Sequence, residues 1–231
     1  MYVAGIKLDL KHGVKQFTKI VSKFMLIILT KRISRIAMEN LNGAISLQTG
    51  TDLWEYLLVA QPDQEVFNKI VEEKRFLYEN YGHMPAVQIK PHIIIANFLA
   101  KEQMEATLVR WIQNVCNLQR SFVVTLNNYG GLPPHTIYLR IQNNEPFKKL
   151  ANGLMILDGF IQSNDCPPLN LSSKPYLTVA IQLPQFIYET AIREYSQRFF
   201  HESFRIDKLI LIKRDAYMTN HIINTFILPH P

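Results

Sequence analysis

Two heptapeptides 84 residues apart hold most of the residues in this chain that could do chemistry: Lys90-Pro91-His92-Ile93-Ile94-Ile95-Ala96 and Lys174-Pro175-Tyr176-Leu177-Thr178-Val179-Ala180. Each sets Lys-Pro ahead of an aromatic ring, three apolar or β-branched residues and an alanine. His92 carries the one imidazole in the pair, a group that titrates near neutrality and can therefore take or give a proton at ordinary pH. Tyr176 stands at the matching position, and a phenol with a pKa of about 10 is a hydrogen-bond or proton donor rather than a base. Thr178 adds a hydroxyl, while Ile94 at the equivalent place in the first copy offers none. Lys90 and Lys174 lead the two segments and would flank an anion, although lysines beside proline at the start of a strand are commonly just solvated.

These side chains need strands to position them. Residues i and i+2 share one face of a strand, so His92 and Ile94 point one way, as do Tyr176 and Thr178. Two such strands related by duplication bring their leading side chains together at a central cleft. Around them the chain reads as alternating strands and helices. Glu55 to Ala60 is a short apolar strand. Asp63 caps a helix with Val66, Ile70 and Leu77 on one face and Gly82 just past its end. Ala86 to Phe98 reads as a strand, and Lys101 to Cys116 as a helix carrying Met104, Leu108, Trp111, Ile112 and Val115.

Phe122 to Asn127 and Thr136 to Ile141 are strands joined by a turn over residues 128–134 that takes in Tyr129, Gly130 and Gly131. A third helix spans Phe147 to Ile161, followed by a loop from Ser163 to Ser173 and a strand from Tyr176 to Leu183. Pro184 to about His201 reads as a helix, Phe204 to Lys213 as one strand, and Ile222 to Leu228 as a last one. The pattern is α+β with an antiparallel hairpin. Helices do not follow every strand and there is no glycine-rich phosphate loop, which disfavours a doubly wound dinucleotide fold.

Of the 231 residues 48% are apolar and 19% charged, which excludes intrinsic disorder. The net charge of +6 is unevenly placed. Residues 1–37 hold eight bases against the single acid Asp9, net +7; the rest holds seventeen bases and eighteen acids, net −1. The basicity thus belongs to a short extension, with an ordinary domain expected over 38–231. In that extension Lys7, Lys11, Lys15, Lys19 and Lys23 repeat every four residues opposite an apolar series from Ile6 to Ile28, the pattern of a basic amphipathic helix suited to an anionic membrane or a protein partner. Its longest apolar run, Phe24 to Leu29, is too short to span a bilayer. Cys116 and Cys166 are too few for a disulfide framework and have no neighbouring base, so they read as inert thiols in a reducing, cytoplasmic setting. His135 reads as a strand-end surface histidine, and no histidine spacing suggests a metal.

The paired segments resemble the 2H phosphoesterase superfamily, which includes the 2′-5′ RNA ligases and cyclic phosphodiesterases, over roughly Trp54 to Leu228. The signature of that family is two copies of His, any residue, then Thr or Ser. The resemblance implies a bilobal α+β fold, with two pseudo-symmetric and mostly antiparallel sheets, flanking helices and a central cleft. It also implies two histidines as general base and acid and two hydroxyls holding phosphate oxygens. Here Ile94 replaces the first hydroxyl residue and Tyr176 the second histidine. The expectation is a cleft that binds an RNA end or a nucleotide phosphate ester, with cyclic phosphodiesterase activity weak or lost. In it His92 is base or acid, Tyr176 an impaired acid, and Thr178, Lys90 and Lys174 the phosphate contacts, with no cofactor and no metal. The alternative is a catalytically inactive scaffold that meets a membrane surface or another protein through residues 1–37.

Overall fold

The computed structural model describes residues 53–82, 89–215 and 219–230. The basic segment 1–37 and the boundary expected at residue 38 lie outside them. Strand β1 (Leu53–Ala60) leads to helix α1 (Gln64–Tyr81), whose N-terminus is capped by Asp63 accepting from the Val66 amide at 3.0 Å. Gly82, at φ 62°, closes the helix in the left-handed conformation that a side chain would strain. Next come β2 (Ile93–Lys101), α2 (Glu105–Leu118), the hairpin of β3 (Phe122–Leu132) and β4 (Thr136–Ile141), α3 (Glu145–Leu154) and α4 (Ile156–Ser163). The short β5 (Asn170–Leu171), β6 (Tyr176–Ala180), α5 (Gln185–Tyr195), β7 (His201–Ile206), β8 (Lys208–Arg214) and β9 (Asn220–Ile227) complete the described chain. None of the described helices is long and apolar enough to cross a membrane.

The strands order as β7-β3-β4-β6-β2-β1-β8-β9, with every pairing antiparallel and β5 beside β2. This is an α+β fold of two four-stranded halves, β2-β1-β8-β9 and β6-β4-β3-β7, matched strand for strand from the centre outward. The halves join at the middle through one register pair, Ile93 with Leu177, so the two repeated heptapeptides are the strands that meet.

Alternation along the strands separates two faces. Tyr56, Leu58, Ile93, Ile95, Leu139, Leu177 and Val179 belong to the main core, packed with apolar residues of all five helices. The opposite side, the far face, carries a smaller buried cluster of Leu57, Val59, Ile210 and Ile212 in the β1 half.

Several expectations are revised. The helix expected over 147–161 is two, α3 and α4, parted at Met155. The strand expected over 204–213 is two strands separated at Asp207. Before it Phe204 and Ile206 are buried between exposed neighbours; after it Leu209 to Ile212 are buried continuously. The two pieces serve different halves, β7 pairing with β3 and β8 with β1. The helix expected to reach residue 201 ends at Tyr195, because the chain must already be extended at His201 to pair with Asn127. The residue 128–134 turn is mostly strand: Asn128, at φ 55°, forms a bulge, after which Tyr129, Gly130 and Gly131 continue pairing with Leu139, Tyr138 and Ile137.

Candidate functional site

Ile93 and Leu177 are fully buried in the core. Their neighbours on either side must therefore point to the far face. Continuing the Ile93–Leu177 register by one residue each way sets position 92 against 178 and position 94 against 176. The fold thus brings His92, Ile94, Tyr176 and Thr178 onto one face of two adjoining central strands. His92 lies across from Thr178 and diagonal to Tyr176. Lys90 and Lys174 are exposed on the approaches to those strands.

His92 is half-buried, and its Nδ1 donates to the Lys90 carbonyl oxygen at 2.7 Å. A carbonyl only accepts, so the neutral ring carries its hydrogen on Nδ1 and keeps a lone pair on Nε2. Burial holds the His92 pKa below its ordinary value; the charges of Lys74 and Arg214 push the same way, while the Lys90 carbonyl opposes them. The ring is therefore neutral at neutral pH. Directly upstream, Lys74 of α1 is 2% exposed and donates from Nζ to the Ile89 carbonyl at 2.8 Å. Burial brings this lysine down to about 8. It anchors the chain that leads into His92; four residues after Ile70 and three before Leu77, it falls on the apolar stripe of α1, and what the sequence does not show is the carbonyl it meets.

Tyr176 is 37% exposed and packs against Tyr138, with ring centroids 4.7 Å apart at 44°. Burial first, and the Tyr138 phenol second, raise its pKa, so Tyr176 stays protonated and serves as a donor. Tyr138 lies back over Gly130, where a Cβ would come 2.5 Å from its Cζ. The register of β4 and β6 places Tyr138 opposite Thr178 and Arg140 opposite Tyr176, while Leu139 and Leu177 between them face the core. Tyr138 and Arg140 therefore join the same face. The signal for both was the alternation in Thr136-Ile137-Tyr138-Leu139-Arg140-Ile141, with apolar residues at every second place. What the sequence does not show is that β4 lies beside β6.

Further out, the β1 half carries Glu55, which accepts from Asn97 at 3.2 Å and Arg214 at 3.1 Å. In the β4 half, the Thr125 and Ser203 hydroxyls meet at 2.8 Å. Tyr129, on the other side of β3, is buried and donates to Glu73 of α1 at 2.6 Å; Arg198 holds the same carboxylate at 2.9 Å. That residue braces α1 against β3. His135 is half-buried at the start of β4, where its Nδ1 donates to the Leu183 carbonyl at 2.8 Å. Cys116 and Cys166 are free and buried, and burial pushes the Cys116 thiol up to about 12, which leaves it unreactive. Among the described residues no group of three or more His, Cys, Asp or Glu is placed to hold a metal ion.

Chemically, the face offers one lone pair for proton transfer at His92 Nε2, with hydroxyl donors at Thr178 and Tyr176 and a permanent cation at Arg140. That set can hold an oxyanion beside one base.

A model of the 2′-5′ RNA ligase superfamily matches residues 62–217. A comparison with curated proteins returns no match. Among solved structures, TT0787 of Thermus thermophilus aligns with a TM-score of 0.59 at 16% identity, covering 76% of this chain and 98% of that one. A crystal structure described as a phosphoesterase aligns at 0.50 with 14% identity, covering 77% and 99%. Escherichia coli LigT complexed with 3′-AMP aligns at 0.51 with 11% identity, covering 76% and 98%. At such identities the likeness to these structures is one of fold.

Proposed function

We propose that this chain, which belongs to the 2′-5′ RNA ligase superfamily, binds an RNA end or a nucleotide phosphate on the far face of β2 and β6, with cyclic phosphodiester hydrolysis weak or lost. The observation that carries this reading is the placing of His92, Tyr176 and Thr178 on one face of the two adjoining central strands. Structures of LigT complexed with phosphate and with 3′-AMP give the ligand class its plausibility.

Opening a cyclic phosphate needs one group to take a proton from the attacking water and another to give one to the leaving oxygen. His92 Nε2, with its ring fixed through Nδ1, is the proposed proton-transfer group. Thr178 donates to a phosphate oxygen, and Lys90 and Lys174 supply flanking positive charge. Tyr176 holds its proton too tightly to exchange it readily at neutral pH, and Ile94 gives phosphate nothing. An incomplete pair of this kind costs about 10²–10⁴ in rate. The two unpaired, buried thiols suit the cytoplasmic location that goes with this reading.

Titration with adenosine 3′-phosphate and turnover of adenosine 2′,3′-cyclic phosphate test the proposal. Binding that weakens in both His92→Ala and Thr178→Val, with slow or undetectable turnover, supports it. Brisk turnover that survives His92→Ala would place the chemistry elsewhere.

A further inference from the structure

We infer that Arg140 is a ligand-binding residue of this face, and that with it the face selects a phosphate monoester bearing a neighbouring free hydroxyl over a cyclic phosphodiester. The preferred ligand would then have the chemistry of a nucleoside 3′-phosphate or an RNA 3′-phosphate end. This rests on the proposed function and specifies its substrate class.

The placement comes from register. Arg140 and Tyr176 are direct partners in the β4–β6 ladder, and both are exposed on the far face. Side chains at directly opposed positions have Cβ atoms about 4.5–5.5 Å apart and diagonal neighbours about 7–8 Å, so the Arg140 side chain is long enough to meet a ligand held by Tyr176 and Thr178. Tyr138 stands opposite Thr178 on β4, with its ring between Gly130, where a Cβ would come 2.5 Å from its Cζ, and the Tyr176 ring. The Tyr138 and Tyr176 rings meet across the other diagonal, centroids 4.7 Å apart, so a ligand bound by Arg140 and Thr178 together would lie over that ring pair.

The choice of ligand follows from what these groups can donate and accept. A guanidinium keeps its charge at every working pH and meets two phosphate oxygens in parallel. Tyr176 and Thr178 add O–H donors beside it. A monoester carries close to two negative charges at neutral pH, a cyclic diester one, so the fixed cation favours the monoester. On β2 the demand is reversed. His92 has committed its Nδ1–H to the Lys90 carbonyl, so the neutral ring can only accept, through Nε2. A 3′-phosphate offers it the free 2′-hydroxyl as donor. In the cyclic ester both ribose oxygens are esterified and neither can donate.

Calorimetric titration of the full chain with adenosine 3′-phosphate, 2′-deoxyadenosine 3′-phosphate and adenosine 2′,3′-cyclic phosphate tests this. Wild type is expected to bind the first about tenfold or more tightly than the third. Arg140→Gln should weaken the first by about ten- to a hundredfold, the scale of a lost charge-assisted hydrogen bond, and shrink that preference. Arg140→Lys should recover only part, because an ammonium cannot bridge two oxygens. Removing the 2′-hydroxyl should cost wild type several-fold and His92→Ala nothing further. Since Arg140 is exposed, an unchanged melting temperature in Arg140→Gln shows that the fold is intact. If Arg140→Gln binds adenosine 3′-phosphate like wild type while Thr178→Val and His92→Ala weaken it, this inference is overturned and the functional reading stands. If wild type binds none of the three ligands, the functional reading falls and takes the inference with it.

Discussion

The β2 and β6 segments share a backbone plan and differ in what they present on the far face. Toward the core both obey one requirement: Ile93 and Ile95 in one, Leu177 and Val179 in the other, all buried under the same packing. On the far face that requirement lapses. In the β2 half the surroundings are an apolar cluster of Leu57, Val59, Ile210 and Ile212, and Ile94 lies beside Val59 in the ladder. In the β6 half they are Tyr138, Arg140, Thr125 and Ser203. One half holds a neutral imidazole whose orientation is set by its own backbone; the other holds a phenol, a hydroxyl and a guanidinium. The two strands keep in common what packing demands and diverge on the face where packing does not decide.

The largest way to break this contrast is to make the two halves alike. Ile94→Thr with Tyr176→His puts a hydroxyl and an imidazole at the divergent positions. Turnover of a 2′,3′-cyclic nucleotide should rise by about 10²–10⁴, with a bell-shaped pH profile, and adding His92→Ala should abolish the gain because base and acid act as a unit. A folded double variant that remains inert would show that the far face differs by more than these two side chains.

Next in size are the positions the halves share. Leu177→Ala and Ile93→Ala each empty part of the packed junction and should cost about 2–5 kcal/mol of stability, read by denaturant unfolding. Thr178→Val, on the far side of the same strand, should cost less than either. If Thr178→Val proves as damaging as Leu177→Ala, the separation into a packing face and a ligand face is wrong.

Lys74 sharpens the contrast on the β2 side, since its bond to the Ile89 carbonyl anchors that half's leading segment. Its pKa in the folded chain is about 8, against about 10.4 when unfolded. The folded state gives up the proton first, so stability should rise between about pH 8 and 10, by up to roughly 3 kcal/mol, and the burial penalty is felt in full below pH 8. Lys74→Met should flatten that rise in pH-dependent unfolding and should also alter binding that depends on His92. A rise that persists in Lys74→Met belongs to another group.

The smallest effect sits in the β6 half. Gly130→Ala puts a Cβ 2.5 Å from Tyr138 Cζ, so the ring, already packed on Tyr176, must shift. Overpacking of this kind costs about 1–3 kcal/mol, and near-ultraviolet circular dichroism of the tyrosines should change with it. Ligand affinity should fall in the β6 half's contacts while dependence on the 2′-hydroxyl persists. An unaltered tyrosine signal would show that Tyr138 does not depend on the bare backbone at Gly130.

Much of this was legible in the sequence. The heptapeptide repeat marked β2 and β6 and named His92, Ile94, Tyr176 and Thr178; Asp63 and Gly82 marked both ends of α1. The rest escaped for physical reasons. The break at Asp207 separates two apolar segments that read as one, because nothing local says that they join different halves of the sheet. Tyr138 and Arg140 alternate visibly with apolar neighbours, but their place beside Tyr176 depends on a pairing made across intervening helices. Lys74 falls on the stripe of Val66, Ile70 and Leu77, which placed it inward, but its partner was hidden, since the carbonyl it serves is supplied by a segment fifteen residues further on.

By itself, then, the sequence determined which residues alternate and which are candidates for chemistry, because strand and helix periods are local properties of the backbone. Only the tertiary structure decided that His92 stands across from Thr178 rather than Tyr176, and that Arg140 stands across from Tyr176. Register between strands is a long-range property: a slip of one residue would turn Ile93 and Leu177 out of the core and the far-face residues into it. The burial of those two side chains is what holds the register in place.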